Sequence, residues 1–290
     1  MRTEKAVIEL LIRTASDDDR VLGAYLEGSR ANRSAPKDIF QDYDVVYIVR
    51  ETGSFQQDRR WIDRFGERLC MQYPEDGERY PNDRKNCYGW LMQFSDGVRL
   101  DLHVVTQSYA NRTLKKGEPY RVLLDKCGCL PENDCTSDKA YWVKQPDEDA
   151  FLATCNEFWW CLNNVAKGLW RDEPPYAMDM LCGVVRPELI RLLGWRVGVE
   201  TGFSVSVGKS GKYLEKYLPG KTWKRLLMTY PRAATDEIWQ AVFVMCDLVD
   251  EAAEFLAERL GFRYDKTEAE NSRRYCEHVM NLPKDAKGVY

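Results

Sequence analysis

The sequence predicts an α+β protein in two parts: a mixed β-sheet flanked by helices over residues 1–146, then an all-helical part over residues 147–290. Three observations carry this reading. Apolar runs rich in β-branched residues recur through the first half. From about residue 147 apolar and aromatic residues recur instead at intervals of three and four. At 290 residues the chain exceeds the size at which one core usually suffices, so two domains of roughly 100–200 residues are the natural division.

The elements follow in chain order. Residues 3–14, TEKAVIELLIRT, space their apolar positions as a helix does. Residues 21–27, VLGAYLE, read as a short strand running into Gly28, and residues 43–49, YDVVYIV, as a buried strand. A helix is expected around residues 55–68. Residues 89–105, GWLMQFSDGVRLDLHVV, read as two strands joined at Asp96-Gly97, a dipeptide suited to tight hairpins. VLLDK, residues 122–126, adds another strand. In the second half, residues 147–173, 178–201 and 234–261 carry helical spacing. Breaks fall at Pro174-Pro175, at the Gly/Ser-rich GFSVSVGKSGK and at Pro219-Gly220, with Asp147 placed to cap the first of these helices and Gly261 to end the last. There is no internal repeat and no low-complexity tract.

Composition narrows the function classes. Hydrophobic residues make up 44% and charged residues 30%, with nine Trp and sixteen Tyr, which is too apolar and aromatic for a disordered chain. A net charge of −4 argues against a general nucleic-acid binder, whose footprint is basic, and suits a cationic small substrate better. The N-terminal apolar run is interrupted by Glu9 and Arg13 with no cleavage site after it, so no signal peptide is expected, and no run approaches the roughly 18 apolar residues of a membrane span. Ten scattered cysteines in an unsignalled chain of this size read as reduced thiols in a cytoplasm. Cys127, Cys129 and Cys135 lie close together but lack paired C-x2-C spacing and a nearby His, so a zinc site there is disfavoured.

The chemistry concentrates in residues 28–44, GSRANRSAPKDIFQDYD, and in VRLDLHVV further on. A strand delivering Gly28-Ser29 into a turn leaves backbone N–H groups and a hydroxyl free for phosphate oxygens. Asp42 and Asp44 stand at i and i+2, so in a strand beginning there both carboxylates point to one face. Side by side they repel unless a cation sits between them. Asp101 lies among apolar residues, where an unpaired carboxylate is expensive. Three carboxylates on neighbouring strands beside a phosphate turn make a site for Mg2+ and a nucleoside triphosphate.

Each feature has an ordinary alternative: Gly-Ser turns are common, Asp-x-Asp at a strand's start is often turn chemistry, and a strand Asp usually pairs with a basic side chain. Order and spacing together raise the signal. His103, two residues after Asp101 and so on the same strand face, is a supporting partner of the site or a satisfied core histidine. GFSVSVGKS, residues 202–210, nearly matches the P-loop, but five residues separate its glycines and no buried strand precedes it.

The strand, Gly-Ser turn, acidic pair and third acid resemble the nucleotidyltransferase superfamily that includes DNA polymerase beta. More closely, GSRANRSAPKDIFQDYDVVYIV, GWLMQFSDGVRLDLHVV and SVGKSGKYLEKYLP resemble the bacterial aminoglycoside 6-adenylyltransferases that modify streptomycin, along the length of the chain and without departure at the Gly-Ser turn or the three acids. The resemblance implies a nucleotidyltransferase catalytic domain over residues 1–146 and a helical substrate-binding domain over 147–290. It implies transfer of AMP from ATP to the 6-hydroxyl of streptomycin, release of pyrophosphate, and antibiotic resistance.

By the same resemblance Gly28, Ser29 and neighbouring amides hold the β- and γ-phosphates and Arg30 helps neutralise them. Asp42 and Asp44 ligate Mg2+, two ions in all, and Asp101 shares a metal or, as the favoured role, takes the proton from the attacking hydroxyl. From its own position, Lys167 in NNVAKGLW is a candidate to reach the ATP phosphates from the second domain, its ordinary alternative being a surface lysine; Lys209 and Lys212 are further phosphate candidates or simply end a loop. Streptomycin carries two guanidinium groups, so carboxylates and aromatic faces should meet it, with Asp172, Glu173, Tyr176 and Asp179 beside Pro174-Pro175 as candidates. Two other readings stand: the same transfer to another antibiotic or to a protein side chain, and a non-catalytic nucleotide-binding protein on the same fold.

Overall fold

The computed structural model of the chain describes residues 1–79 and 82–290. Two compact units emerge, Met1–Ala140 and Tyr141–Tyr290, dividing a few residues before the boundary expected at 146/147.

In the first unit α1 (Glu4–Ser16) opens on Thr3, whose hydroxyl accepts the Ala6 N–H, and buries Val7, Leu11, Thr14 and Ala15. Strand β1 (Val21–Glu27) runs into a single helical turn, α2 (Gly28–Ala31), then β2 (Tyr43–Val49). The helix expected around 55–68 is not continuous. Residues Gly53–Gln57 form α3 and Trp61–Phe65 a 3-10 turn, broken by the non-helical Asp58 and ended by Gly66 at φ 127°, a backbone position that favours glycine. Strand β3 (Arg68–Gln72) follows, mostly exposed and without the alternation that would announce it. Then come β4 (Cys87–Phe94), β5 (Arg99–Thr106), α4 (Gln107–Leu114) and β6 (Arg121–Asp125).

The six strands form one mixed sheet in the order β3-β4-β5-β2-β1-β6. All neighbours are antiparallel except β2 and β5, which run parallel at its centre. Both faces of the centre are covered. Tyr43, Val45, Tyr47 and Val49 pack with α1 and the Trp61 cluster, while Val46 and Ile48 face Tyr25, Val105 and Ala110. Central strands buried on both faces read as continuous apolar runs, which is why β2 was legible. The Tyr47 hydroxyl donates to the Leu11 carbonyl at 2.7 Å, tying helix to sheet.

The second unit is helical. Helix α5 (Glu148–Trp170) starts on Asp147, whose carboxylate accepts the Ala150 N–H at 2.8 Å, and buries Phe151, Cys155, Phe158, Leu162, Val165 and Leu169 on one stripe. Pro174 opens α6 (Pro174–Met180), and a π-helical turn, Leu181–Val185, leads into α7 (Arg186–Thr201). Helices α8 (Gly220–Met228), α9 (Thr235–Leu260) and α10 (Lys266–Asn281) complete the core, and Gly261 ends α9 in the left-handed conformation. Helices α8 and α10 were not anticipated: α10 buries only Ala269, Cys276 and Val279, too sparse a stripe to stand out. Residues 202–219 follow a helix, not a strand, and carry two short 3-10 turns, so the strand–loop–helix context of a P-loop does not arise there. Among the described residues no helix is long and apolar enough to cross a membrane. All ten cysteines are free thiols.

Candidate active site

The site is built where β1, β2 and β5 lie side by side. Register places Glu27 opposite Asp44 and Asp44 opposite Asp101, a row of three acids across adjacent strands. Asp42 stands just ahead of β2. Carboxylate oxygens of Asp42, Asp44 and Asp101 all lie within 4.8 Å of one another. This cluster gathers all three acids marked out in the sequence.

Burial and like charge act together on Asp44. Removal from water, then the neighbouring charges of Asp42, Asp101 and Glu27, raise its carboxyl from an ordinary value of 3.8 to about 7, with Arg99 opposing. Burial also raises Glu27, with Glu118 adding to the effect and Lys116 opposing it. An acid held this way is stabilised by any cation that reaches it.

The Gly28-Ser29 turn abuts the cluster. Gly28 adopts φ +66°, and a Cβ at this position would fall 2.0 Å from Oδ2 of Asp44, so only glycine lets the turn and the carboxylate approach this closely. The Ser29 hydroxyl is buried and has no hydrogen-bond partner among the described residues. A buried hydroxyl without a partner beside three hard oxygen donors fits a ligand that brings both phosphate oxygens and a divalent cation.

Arg30 is engaged locally. It donates from Nε to the Asp42 carbonyl at 3.0 Å and from Nη2 to the Gln41 carbonyl at 2.7 Å, and its guanidinium lies 3.8 Å from the centre of the Tyr43 ring. Glu4 is a further partner at 3.4 Å. Arg30 therefore pins the end of the loop that delivers Asp42.

Two participants went unnoticed in the sequence. Glu27 reads as the last residue of a strand, and Arg99 as a strand residue, yet Arg99 donates to both oxygens of Asp101, at 3.0 and 2.7 Å. Its spacing of two before Asp101 was the available signal, since alternate strand residues share a face.

His103 packs against Gly89, where a Cβ would fall 2.4 Å from the imidazole, and gathers with Glu75 and Cys87. Its burial lowers the imidazole pKa, opposed by the charges of Glu75 and Asp101. Cys127 and Cys129 lie with Asp125, which accepts three backbone N–H groups of that loop, whereas Cys135 points to the Gly117 and Ser137 carbonyls. The three cysteines thus do not form one ligand set.

In the helical unit Lys167 donates to Asn164 Oδ1 at 3.0 Å and lines a cavity of about 290 Å³ with Trp170, Arg171, Tyr275 and residues 286–289. Glu173, Tyr176 and Asp179 are exposed at and within α6, and Asp172, at φ 56°, pairs with Lys284 at 3.2 Å.

A family profile described as streptomycin adenylyltransferase matches residues 1–279. An aminoglycoside 6-adenylyltransferase from Bacillus subtilis is 35% identical over 280 residues, covering 96% of this chain and 98% of that protein. A protein of the same name from Campylobacter jejuni is 35% identical over 264 residues, 91% of each chain, and one from Staphylococcus aureus is 36% identical over 249 residues, 86% of this chain and 88% of its own. The crystal structure of an aminoglycoside 6-adenyltransferase from Bacillus subtilis, 32% identical in sequence, aligns over 97% of this chain and 100% of that one with a TM-score of 0.48.

Proposed function

The chain belongs to the streptomycin adenylyltransferase family and is a nucleotidyltransferase, and from that premise we propose that it transfers AMP from ATP to the 6-hydroxyl of streptomycin, releasing pyrophosphate and conferring resistance. The observation that carries the reading is the clustering of Asp42, Asp44 and Asp101 within 4.8 Å, beside a turn whose Ser29 hydroxyl is buried with no partner among the described residues.

In this reading the Gly28-Ser29 turn receives phosphate oxygens through the Ser29 hydroxyl and nearby backbone amides. Asp42, Asp44 and Asp101 would supply oxygen ligands for Mg2+, two ions in this reading. When bound, the metal offsets charge developing on the α-phosphate and on the departing pyrophosphate. Asp101 accepts the proton of the attacking hydroxyl as its oxygen bonds to the α-phosphorus and the bond to the β-phosphate oxygen breaks. Arg30 holds Asp42 in place through the Gln41 and Asp42 carbonyls.

The catalytic unit is then the sheet-bearing one. We assign acceptor choice to the helical unit, where Glu173, Tyr176 and Asp179 offer exposed carboxylates and an aromatic face to a dication. The test is pyrophosphate release from ATP and Mg2+ with streptomycin, kanamycin, spectinomycin, lincomycin or no acceptor. Release with streptomycin alone is expected. Release with another acceptor keeps the catalytic site and replaces the substrate; silence with all of them overturns the reading.

A further inference from the structure

Arg99 precedes Asp101 by two residues on β5, so both side chains leave the same face of the strand. Its guanidinium takes both Asp101 oxygens, Nε to Oδ1 at 3.0 Å and Nη2 to Oδ2 at 2.7 Å, while Nε comes within 3.4 Å of Oδ2 of Asp42. One cationic fork thus addresses two of the three clustered acids. The pair is unequal in its access to water: the Arg99 side chain is 49% exposed and that of Asp101 only 13%. The cation can withdraw into solvent, whereas the carboxylate cannot.

We propose that Arg99 is a displaceable counter-ion of the acid cluster, competing with the divalent cation for oxygens of Asp101 and Asp42. The inference rests on the reading of the cluster as a metal site. A guanidinium held bidentately takes one in-plane lone pair of each carboxylate oxygen and leaves the other, so a metal ligated there shares the carboxylate with a fixed positive charge. Mg2+ requires carboxylate oxygen at roughly 2.0–2.1 Å in near-octahedral geometry, and a second positive charge on the same carboxylate opposes it. Each hold therefore weakens the other. Arg99 keeps the cluster compact while no divalent cation is bound and lowers its affinity for a bare ion. A cation arriving with a polyphosphate meets less opposition, because the released fork finds phosphate oxygens to pair with.

The test measures Mn2+ binding without nucleotide, by electron paramagnetic resonance of free Mn2+, on wild type, Arg99→Gln, Arg99→Lys and Asp44→Asn, each checked for folding by circular dichroism. Arg99→Gln is expected to bind Mn2+ about tenfold more tightly, equivalent to about 1.4 kcal/mol. Arg99→Lys, which keeps the charge and loses the fork, should fall between, separating bidentate blocking from simple repulsion. In EDTA Arg99→Gln should melt below wild type, and saturating Mn2+ should close or reverse that gap. Wild-type or weaker Mn2+ affinity in Arg99→Gln, with Asp44→Asn abolishing binding, overturns the counter-ion proposal and leaves the metal site standing. Mn2+ binding indifferent to Asp44→Asn, or absent from every folded protein, overturns both.

Discussion

Asp44 and Asp101 face each other in register across the parallel pair β2 and β5, while Glu27 faces Asp44 from β1 on the other side. Parallel pairing is what makes this possible. Both strands enter the sheet from the same edge, so acids near their N-terminal ends meet, and antiparallel pairing of the same strands would separate them.

Removing the negative charge of Asp44 tests the cluster most directly. Asp44→Asn is expected to abolish nucleotidyl transfer while leaving the circular dichroism spectrum intact. In EDTA its melting temperature should equal or exceed that of wild type, since a buried like charge has been removed. Transfer at the wild-type rate would show that Asp44 holds no metal needed for the reaction.

Gly28 governs how closely the turn approaches that carboxylate. In Gly28→Ala the new methyl would overlap Oδ2 of Asp44 and the backbone would be strained at φ +66°. The fold should survive with a loss of about 1–2 kcal/mol, and turnover should drop by roughly a hundredfold, the usual effect of an ångström-scale misplacement in a catalytic site. Denaturant melts and single-turnover rates check the two parts separately.

For Arg30 two roles give opposite kinetic signatures. Its bonds to the Gln41 and Asp42 carbonyls make it a positioning residue, so Arg30→Met should lower kcat by about tenfold and weaken Mn2+ binding with little change in KM for ATP. A rise in KM for ATP at unchanged kcat would instead identify Arg30 as a phosphate ligand.

A pH-dependent part of the stability resides at Asp18. Burial pushes its carboxyl up, but hydrogen bonds from the Arg20 side chain and backbone and from the Trp61 indole, together with the Arg20 charge, outweigh burial and bring it from 3.8 to about 2. The Trp61 and Arg20 bonds measure 2.9 and 2.6–3.0 Å, and the Asp18 side chain is 10% exposed. A depressed carboxylate contributes stability that is present above its unfolded value of 3.8 and is lost as pH falls through about 2. Asp18→Asn should therefore lose about 2 kcal/mol near neutral pH, a gap that shrinks between pH 4 and pH 2 in urea melts. A gap independent of pH would assign the effect to packing.

The parts legible in the sequence were those where one local period dominates. β2 shows an unbroken apolar run because both its faces are buried, and α5 and α9 show wide apolar stripes because each packs on several partners. The Asp42, Asp44 and Asp101 positions stood out because carboxylates interrupt or border apolar strands. β3 and α10 escaped because little of either is buried, so neither carries a strong period. The expected helix at 55–68 failed at Asp58 and Gly66, where backbone conformation overrides apolar spacing.

By itself the sequence determined the two-part α+β organisation, the three acids and the turn beside them, since each follows from local spacing and burial preference. Only the tertiary structure decided that β5 lies parallel to β2, that Glu27 joins the row of acids, that Arg30 turns to the far end of the loop that delivers Asp42, and that Arg99 takes the oxygens of Asp101. Strand order and the choice of a counter-ion are long-range outcomes. They depend on which segments pair across the sheet, and no local periodicity records that.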